Sequence, residues 1–466
     1  MRSSDLSLAS LCCSFGFAAA CTTVVDPAPD FARARAAVGA AAPGVAVYDP
    51  NGAPLSAEQI DARLSDGLAL DEALELALVN NRRLQSGFME LGVGHADFVQ
   101  AGLISNPSLS LAFLWPSGGG RERIGLDVVQ SVAELWSLRT RKHAARLEQD
   151  ARILELSRAA AELVVDVKDA YCDGVAAREE REAALAALSV ARETSAAVER
   201  LVEVGVATRA ELAAAQADVR AAEFAERCTH VAESASRARL ATLLALQRDL
   251  SEVELTSALP GAAEFADADE IWVARACATR LDVHGAHKAV ERARAALELE
   301  SGRRVRNAAL GFTSEQPEVG SNTSFVGGVA GTLDIPVFDT NQAQIRRAEF
   351  VLAAADLKRA ALLAEVDAQV RAAVRRAKAA RDSLNAVERD LAPACALSVE
   401  LARRSLELGD ATVLDVLDAR RRLAQAQHDT VQARRELASA RLQLERCLGA
   451  PIEQFARDAD AEAARP

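Results

Sequence analysis

Three groups of side chains in this 466-residue sequence have types and spacings that suggest chemistry. Cys21 follows Ala18-Ala19-Ala20 at the end of a short run of apolar and small residues, 6 to 20, that starts after Arg2. The run is too short to span a bilayer and reads as a secretory signal, with Cys21 as the thiol that takes a lipid on cleavage. Asp5 weakens the charged start, and Ala18 stands where bacterial lipoprotein sites usually carry Leu. The alternative is ordinary cleavage after Ala20, which leaves Cys21 a plain thiol. Cys228-x-His230 and His284-x-x-His287 come nearest to metal ligands, yet each lies in Ala-rich helical sequence without a third or fourth ligand nearby. No metal site is expected there. The cysteines at 12, 13, 172, 277, 395 and 447 are scattered singly, which gives neither a disulfide framework nor a zinc site.

Catalysis finds no support. The chain has no Gly-rich phosphate loop, no Ser nucleophile elbow and no His placed beside a nucleophile. Its many carboxylates occupy solvated helical positions rather than a paired arrangement. Neither an enzymatic role nor a cofactor is expected. The net charge of −13 and pI near 5.2 offer no basic face to a phosphate backbone, so nucleic acid is not an expected partner. With 13 Phe, 3 Trp and 2 Tyr, the chain is too poor in aromatics to be a porin made mostly of membrane strand. After the signal no window holds 18 uncharged apolar residues, so no transmembrane helix is expected. Long stretches of Ala, Leu, Arg and Glu nearly free of Gly and Pro predict a mainly α fold with long helices.

The elements that position these residues are duplicated. Val204-Gly205-Val206-Ala207-Thr208-Arg209-Ala210-Glu211-Leu212 returns as Leu408-Gly409-Asp410-Ala411-Thr412-Val413-Leu414-Asp415-Val416, displaced by 204 residues. Leu126-Asp127-Val128 returns as Leu333-Asp334-Ile335, and Asn81-Arg82-Arg83-Leu84 as Arg280-Leu281-Asp282-Val283, at displacements of 207 and 199. Three matches in the same order make two similar halves. Each half starts with a helix of roughly 30 residues, 68 to 102 and 267 to 302. Two strands with period-two alternation follow. In the first half Leu109, Leu111, Phe113 and Trp115 precede the turn Pro116-Ser117-Gly118-Gly119-Gly120, and Ile124, Leu126 and Val128 follow it. The second half offers Leu310 and Phe312, a loop with Pro317 and Gly320, then Phe325, Val329, Leu333, Ile335 and Val337. At about ten residues each, the strands have the length of a tilted membrane strand.

A helical run from about 134 to 204 then contains no Pro and only Gly174. Seventy residues of helix would reach roughly 105 Å. Leu156, Ala160, Leu163, Val167 and Ala170 repeat at four-three spacing, as do Leu363, Val366, Val370, Ala373, Ala377 and Ala380. That is a coiled-coil seam, although an antiparallel bundle core would show the same stripe. Gly205 and Gly409 suit the left-handed residue that stops a helix. Thr208 with Glu211, and Thr412 with Asp415, fit an N-cap and its acid three residues later. Returning arms are expected over 208 to 249 and 412 to 448, with Pro393 kinking the second outgoing arm.

The sequence resembles the TolC-like outer-membrane efflux factors over about 65 to 450. The resemblance rests on Asn81-Arg82-Arg83-Leu84 opposite Thr279-Arg280-Leu281-Asp282, on Gln130-Ser131-Val132 opposite Ile335-Pro336-Val337, on Leu408 to Ala419, and on the closing Leu444-Glu445-Arg446-Cys447-Leu448-Gly449. It implies a homotrimer in which four strands per subunit close one twelve-stranded β-barrel in the outer membrane, continuous with a periplasmic α-barrel. Physics concurs, since four strands cannot enclose a lumen and an open edge is forbidden in lipid. The implied function is passive conduction of small molecules or ions to the exterior, driven by an inner-membrane pump through a periplasmic adaptor, the membrane fusion protein. The resemblance makes Gly205, Thr208, Gly409 and Thr412 adaptor-facing tips, and Asp410 and Asp415 candidates to ring the aperture. Asp415 as a helix cap and Asp410 as a solvated turn residue are the structural alternatives. The Pro393 arm with its Gly409 tip resembles the heavy-metal branch of the family.

The expected organisation is a signal peptide over 1–20, an extended Pro-rich linker over 21–66, repeats over 67–258 and 259–450, and a disordered tail over 451–466. The expected location is the outer membrane and periplasm of a Gram-negative bacterium. Two other functions fit part of the pattern. A periplasmic adaptor lipoprotein also has a Cys anchor and a long helical hairpin, but only one hairpin. A structural coiled-coil scaffold would have no use for amphipathic strand pairs.

Overall fold

The computed structural model describes residues 25–52, 55–115, 117, 122–259, 268–303, 307–315 and 326–452. The signal, Cys21, Phe325, Pro317, Gly320 and the tail beyond 452 lie outside the described residues. In chain order the elements are α1 (Ala28–Gly39), α2 (Ala57–Leu64), α3 (Leu70–Asn80), α4 (Arg82–Ala101), β1 (Ser108–Leu114), β2 (Arg123–Ser131), α5 (Ala133–Glu203), α6 (Arg209–Leu243), α7 (Asp269–Thr279), α8 (Leu281–Gly302), β3 (Ala308–Glu315), β4 (Val326–Leu333), α9 (Gln342–Ala386), α10 (Ala392–Leu408) and α11 (Val413–Leu448). Helix, helix, strand pair and a long helical hairpin thus occur twice, the outgoing arm of the second hairpin being divided into α9 and α10. The described residues fall into two compact units, one of 25–32, Glu90–Arg152 and Ala289–Ala354, the other of Arg33–Met89, Ile153–Lys288 and 355–452.

In the second unit the helices form two hairpins. The expected seam is buried at Leu156, Ala160, Val167 and Ala170, and Val164 takes the place assigned to Leu163, which is half-buried. Val366, Val370, Ala373, Ala377 and Ala380 are buried as expected and pack with Leu437, Ala440 and Leu444 of α11. The two hairpins lie side by side through ion pairs of α5 with α11: Glu193 with Arg420 at 2.7 Å, Glu180 with Arg435 at 3.5 Å, and Lys168 with Glu445 at 3.2 Å. Gly174 lies within the unbroken α5 and leaves room for Leu255, whose Cδ1 sits 2.7 Å from where a Cβ would stand.

Three expectations need correction. The 21–66 segment is no simple extended linker, since it holds α1 and α2. Phe31, Ala34 and Val38 supply a helical three-four stripe that is buried, and Pro29 lies in the first turn, where its missing N–H costs nothing. The single 30-residue helix in each half is really two. The chain turns extended at Asn81 (ψ 115°) and Arg280 (ψ 123°). Asn81 Oδ1 then accepts from the N–H of Arg83 and Leu84 and starts α4. The strands have seven to nine described residues rather than ten.

Pro393 sits in the first turn of α10, just after one π-helical turn, Val387–Leu391. A residue without an N–H leaves the carbonyl four positions back unpaired, and a widened turn is one way to take up that gap.

Candidate functional site

In the first unit the strands form one antiparallel sheet in the order β1-β2-β3-β4. Its register determines the faces, because directly paired residues point to the same side. Leu109, Leu111 and Phe113 stand opposite Val128, Leu126 and Ile124. Val128 pairs with Phe312, and Phe312 with Val329, so the apolar row runs across all four strands. Val329 is 84% exposed and Leu109 62%, values that water tolerates poorly for a contiguous patch. The other face carries Ser108, Ser110, Asp127, Thr313, Gly311, Ala330 and Thr332. Arg123 and Glu315, on that polar face, form an ion pair between β2 and β3. Sequence reasoning passed over this pair, although its alternation with Ile124 and Ser314 was the available signal. Trp115, 72% exposed, stacks on Phe113 at the end of β1. Among the described residues, β1 and β4 have no strand on their outer edges.

In the second unit the two hairpin tips are built alike. Gly205 (φ 76°) and Gly409 (φ 82°) take the left-handed conformation that ends the outgoing helices. At each tip the Thr hydroxyl accepts from the backbone three residues on, Thr208 from Glu211 and Thr412 from Asp415. The two acids return the contact, accepting from the Thr N–H at 2.6 Å and 2.8 Å. Backbone and hydroxyl hydrogen bonds from Thr208 and Thr412 hold both carboxyls below their usual range. Asp410 is an exposed turn residue whose N–H donates to Ser405 O. Val204, Val206 and Leu408 beside the tips are exposed apolar residues.

The other singled-out residues do not converge. His287 Nδ1 contacts Val283 O of its own helix, Cys228 is exposed, and no metal-binding group occurs among the described residues. Cys172, Cys228, Cys277, Cys395 and Cys447 are all unbridged. No described helix is long and apolar enough to cross a membrane.

Residues 307–450 match the family model of the outer membrane efflux protein. Solved structures with the same fold include VceC from Vibrio cholerae (TM-score 0.64, 20% identity, 82% of this chain and 96% of that one). CmeC of Campylobacter jejuni, an outer membrane channel, has a TM-score of 0.66 at 15% identity, covering 89% and 92%. The open state of the Neisseria gonorrhoeae outer membrane channel MtrE has 0.64 at 18%, covering 88% and 97%. No curated protein sequence matches significantly. The chain therefore shares the fold of these outer membrane proteins, and its residues 307–450 are similar to the outer membrane efflux protein family.

Proposed function

We propose that this protein is the outer-membrane exit duct of a tripartite efflux system, passively conducting small molecules or ions from periplasm to exterior. The observation that carries the proposal is the sheet: one continuous apolar face, one polar face and two unpaired edges. In lipid, unpaired backbone groups cost several kcal/mol each, so the edges of β1 and β4 must be closed by other strands. Three copies closing a twelve-stranded barrel satisfy both edges, put the apolar face toward lipid and leave the polar face around the lumen. Cys21 would anchor the chain to the membrane by its lipid. The tips at Gly205, Thr208, Gly409 and Thr412 would meet a periplasmic adaptor coupled to an inner-membrane pump, and Asp410 with Asp415 would ring the aperture. Three copies would bring six carboxylates to that ring, where their charge favours cations. An adaptor or a scaffold would have no use for such a sheet. The test is to express the chain in a Gram-negative host, separate the membranes and sediment the detergent-extracted protein. Outer-membrane recovery as a trimer is expected; a soluble periplasmic monomer would contradict the proposal.

A further inference from the structure

The strands of the first unit give way to its helices at one level. Val132, between β2 and α5, donates its N–H to Ala308 O at 2.8 Å, and Asp334, just after β4, donates to Asn307 O at 2.9 Å. These bonds close the end of the sheet. Directly beyond them come large exposed apolar side chains: Trp136 is 69% exposed and Phe338 93%, with Leu135, Ile335 and Val337 exposed beside them in sequence. The helices converge here, since Trp136 of α5 and Gln344 of α9 line one groove of about 480 Å³ together with Glu300 and Arg303 at the end of α8. Asn341 braces the groove by donating its Nδ2 to Glu300 O and Oε2, both at 2.8 Å.

One helical turn further on, charge replaces apolar surface. Arg139 follows Trp136 by three residues and Arg347 follows Gln344 by three, so each stands on the groove side of its helix. Both are exposed, as is Lys142 another turn along α5. Among the described residues none of these three cations meets a carboxylate, and Lys142 lies over the Phe98 ring at 5.5 Å. The acids of these turns are engaged elsewhere: Glu134 accepts from the Ser105 N–H at 3.0 Å, Asp339 from the Asn341 N–H at 2.9 Å, Glu300 pairs with Arg303 at 3.1 Å and Glu349 with Arg346 at 2.6 Å. A chain of net charge −13 thus keeps an unneutralised cationic ledge beside its apolar sheet. Counted from the starts of α5 and α9, Arg139 and Arg347 lie about 9 Å and about 8 Å along their helices. The headgroup layer of a bilayer is about 5–8 Å deep on each side, and Trp settles at its level. Apolar strand, aromatic and cation therefore follow in the order of hydrocarbon, interface and phosphate, at matching spacing.

We infer that the groove between the starts of α5 and α9 holds the headgroup of an anionic phospholipid, with Trp136 at the glycerol level and Arg139 and Arg347 on the phosphate. A zwitterionic lipid offers the same phosphate but carries an ammonium that cancels its charge, so the ledge selects lipids of net negative charge. The inference rests on the membrane duct proposed above and adds the class of lipid that the helical end of its sheet binds.

The test is tryptophan quenching in the assembled protein. The full chain, carrying Trp115→Phe, is reconstituted into phosphatidylcholine vesicles that contain a small fraction of brominated phosphatidylglycerol or, separately, the same fraction of brominated phosphatidylethanolamine. Trp272, 3% exposed, is the internal reference. Quenching of Trp136 should report enrichment of the glycerol lipid over the ethanolamine lipid on the order of fivefold. Arg139→Gln combined with Arg347→Gln should erase that preference while both lipids still quench Trp136, and 1 M salt should erase it in the chain that keeps both arginines. An inserted oligomer whose Trp136 is quenched equally by the two lipids, or by neither, would overturn the inference and leave the duct standing. So would a preference that survives both the double substitution and high salt. A chain that stays outside the vesicles as a monomer would overturn the duct reading and this site together.

Discussion

Asp173 of α5 is gripped from two directions, by Arg435 of α11 at 3.1 Å and by Arg239 of α6 at 3.0 Å. One carboxylate thus ties the first hairpin to itself and to the second, across 262 residues of sequence. Burial works against the Arg435 cation, but Asp173 and Glu180 outweigh it and raise its pKa. Both arginines are partly solvated, so each pair has the modest value of surface ion pairs. Asp173→Ala should lower the stability of the helical unit by about 1 kcal/mol, read by urea unfolding followed at 222 nm. The loss should shrink in high salt.

The faces of the sheet can be set against each other at adjacent positions. Val329 lies on the apolar face and Ala330 on the polar one. Val329→Arg should cost about 2–4 kcal/mol of insertion if it meets the bilayer midplane, and sharply reduce assembled protein in the outer membrane. Ala330→Arg should assemble and instead change ion selectivity.

At the tips, Thr412→Ala removes the cap of α11 at about 1 kcal/mol, a loss local to the tip and visible as faster amide exchange over 412–416. Asp410→Asn should reduce cation preference while leaving exchange unchanged, because its carboxyl takes no part in the cap. Asp415→Asn should do both.

Asp30, 2% exposed, predicts a pH dependence in the first unit. Burial pushes its carboxyl up, but the His95 hydrogen bond at 2.9 Å, the Arg146 charge and the Gln149 hydrogen bond outweigh it and leave the pKa below its usual value. A depressed carboxylate stabilises the fold fully above its unfolded pKa of about 3.9 and loses that contribution as pH falls through the folded value. Asp30→Asn should therefore destabilise at neutral pH and flatten the loss of stability below about pH 4, measured by thermal unfolding across that range.

Gly67 tests the backbone. It has φ 98°, and a Cβ there would stand 2.7 Å from Thr256 Cγ2 and 3.1 Å from Glu254 O. Gly67→Ala should cost about 1–2 kcal/mol from left-handed strain alone, with steric conflict added. It should also loosen the pairing of Leu68 with Leu255.

The long helices, the tip glycines, the Thr caps and the alternation of the strands were legible because each is written in local spacing. Thr208 and Thr412 show this best: a hydroxyl, a three-residue interval and an acid suffice to predict both caps. What escaped depended on distant partners. Prolines 27, 29, 43 and 50 suggested extension, whereas α1 is held helical by the burial of Phe31, Ala34 and Val38 and by the pairing of Asp30 with His95 some 65 residues on. The break at Asn81 was visible as a duplicated motif, yet its meaning as a capped interruption appears only once Oδ1 is seen to accept from Arg83 and Leu84.

Planar-bilayer recording of the purified protein tests the central claim most directly. Stepwise ion-conducting events from a species that sediments as three subunits are predicted. An unbroken baseline, from protein that sediments as a single subunit, would contradict it.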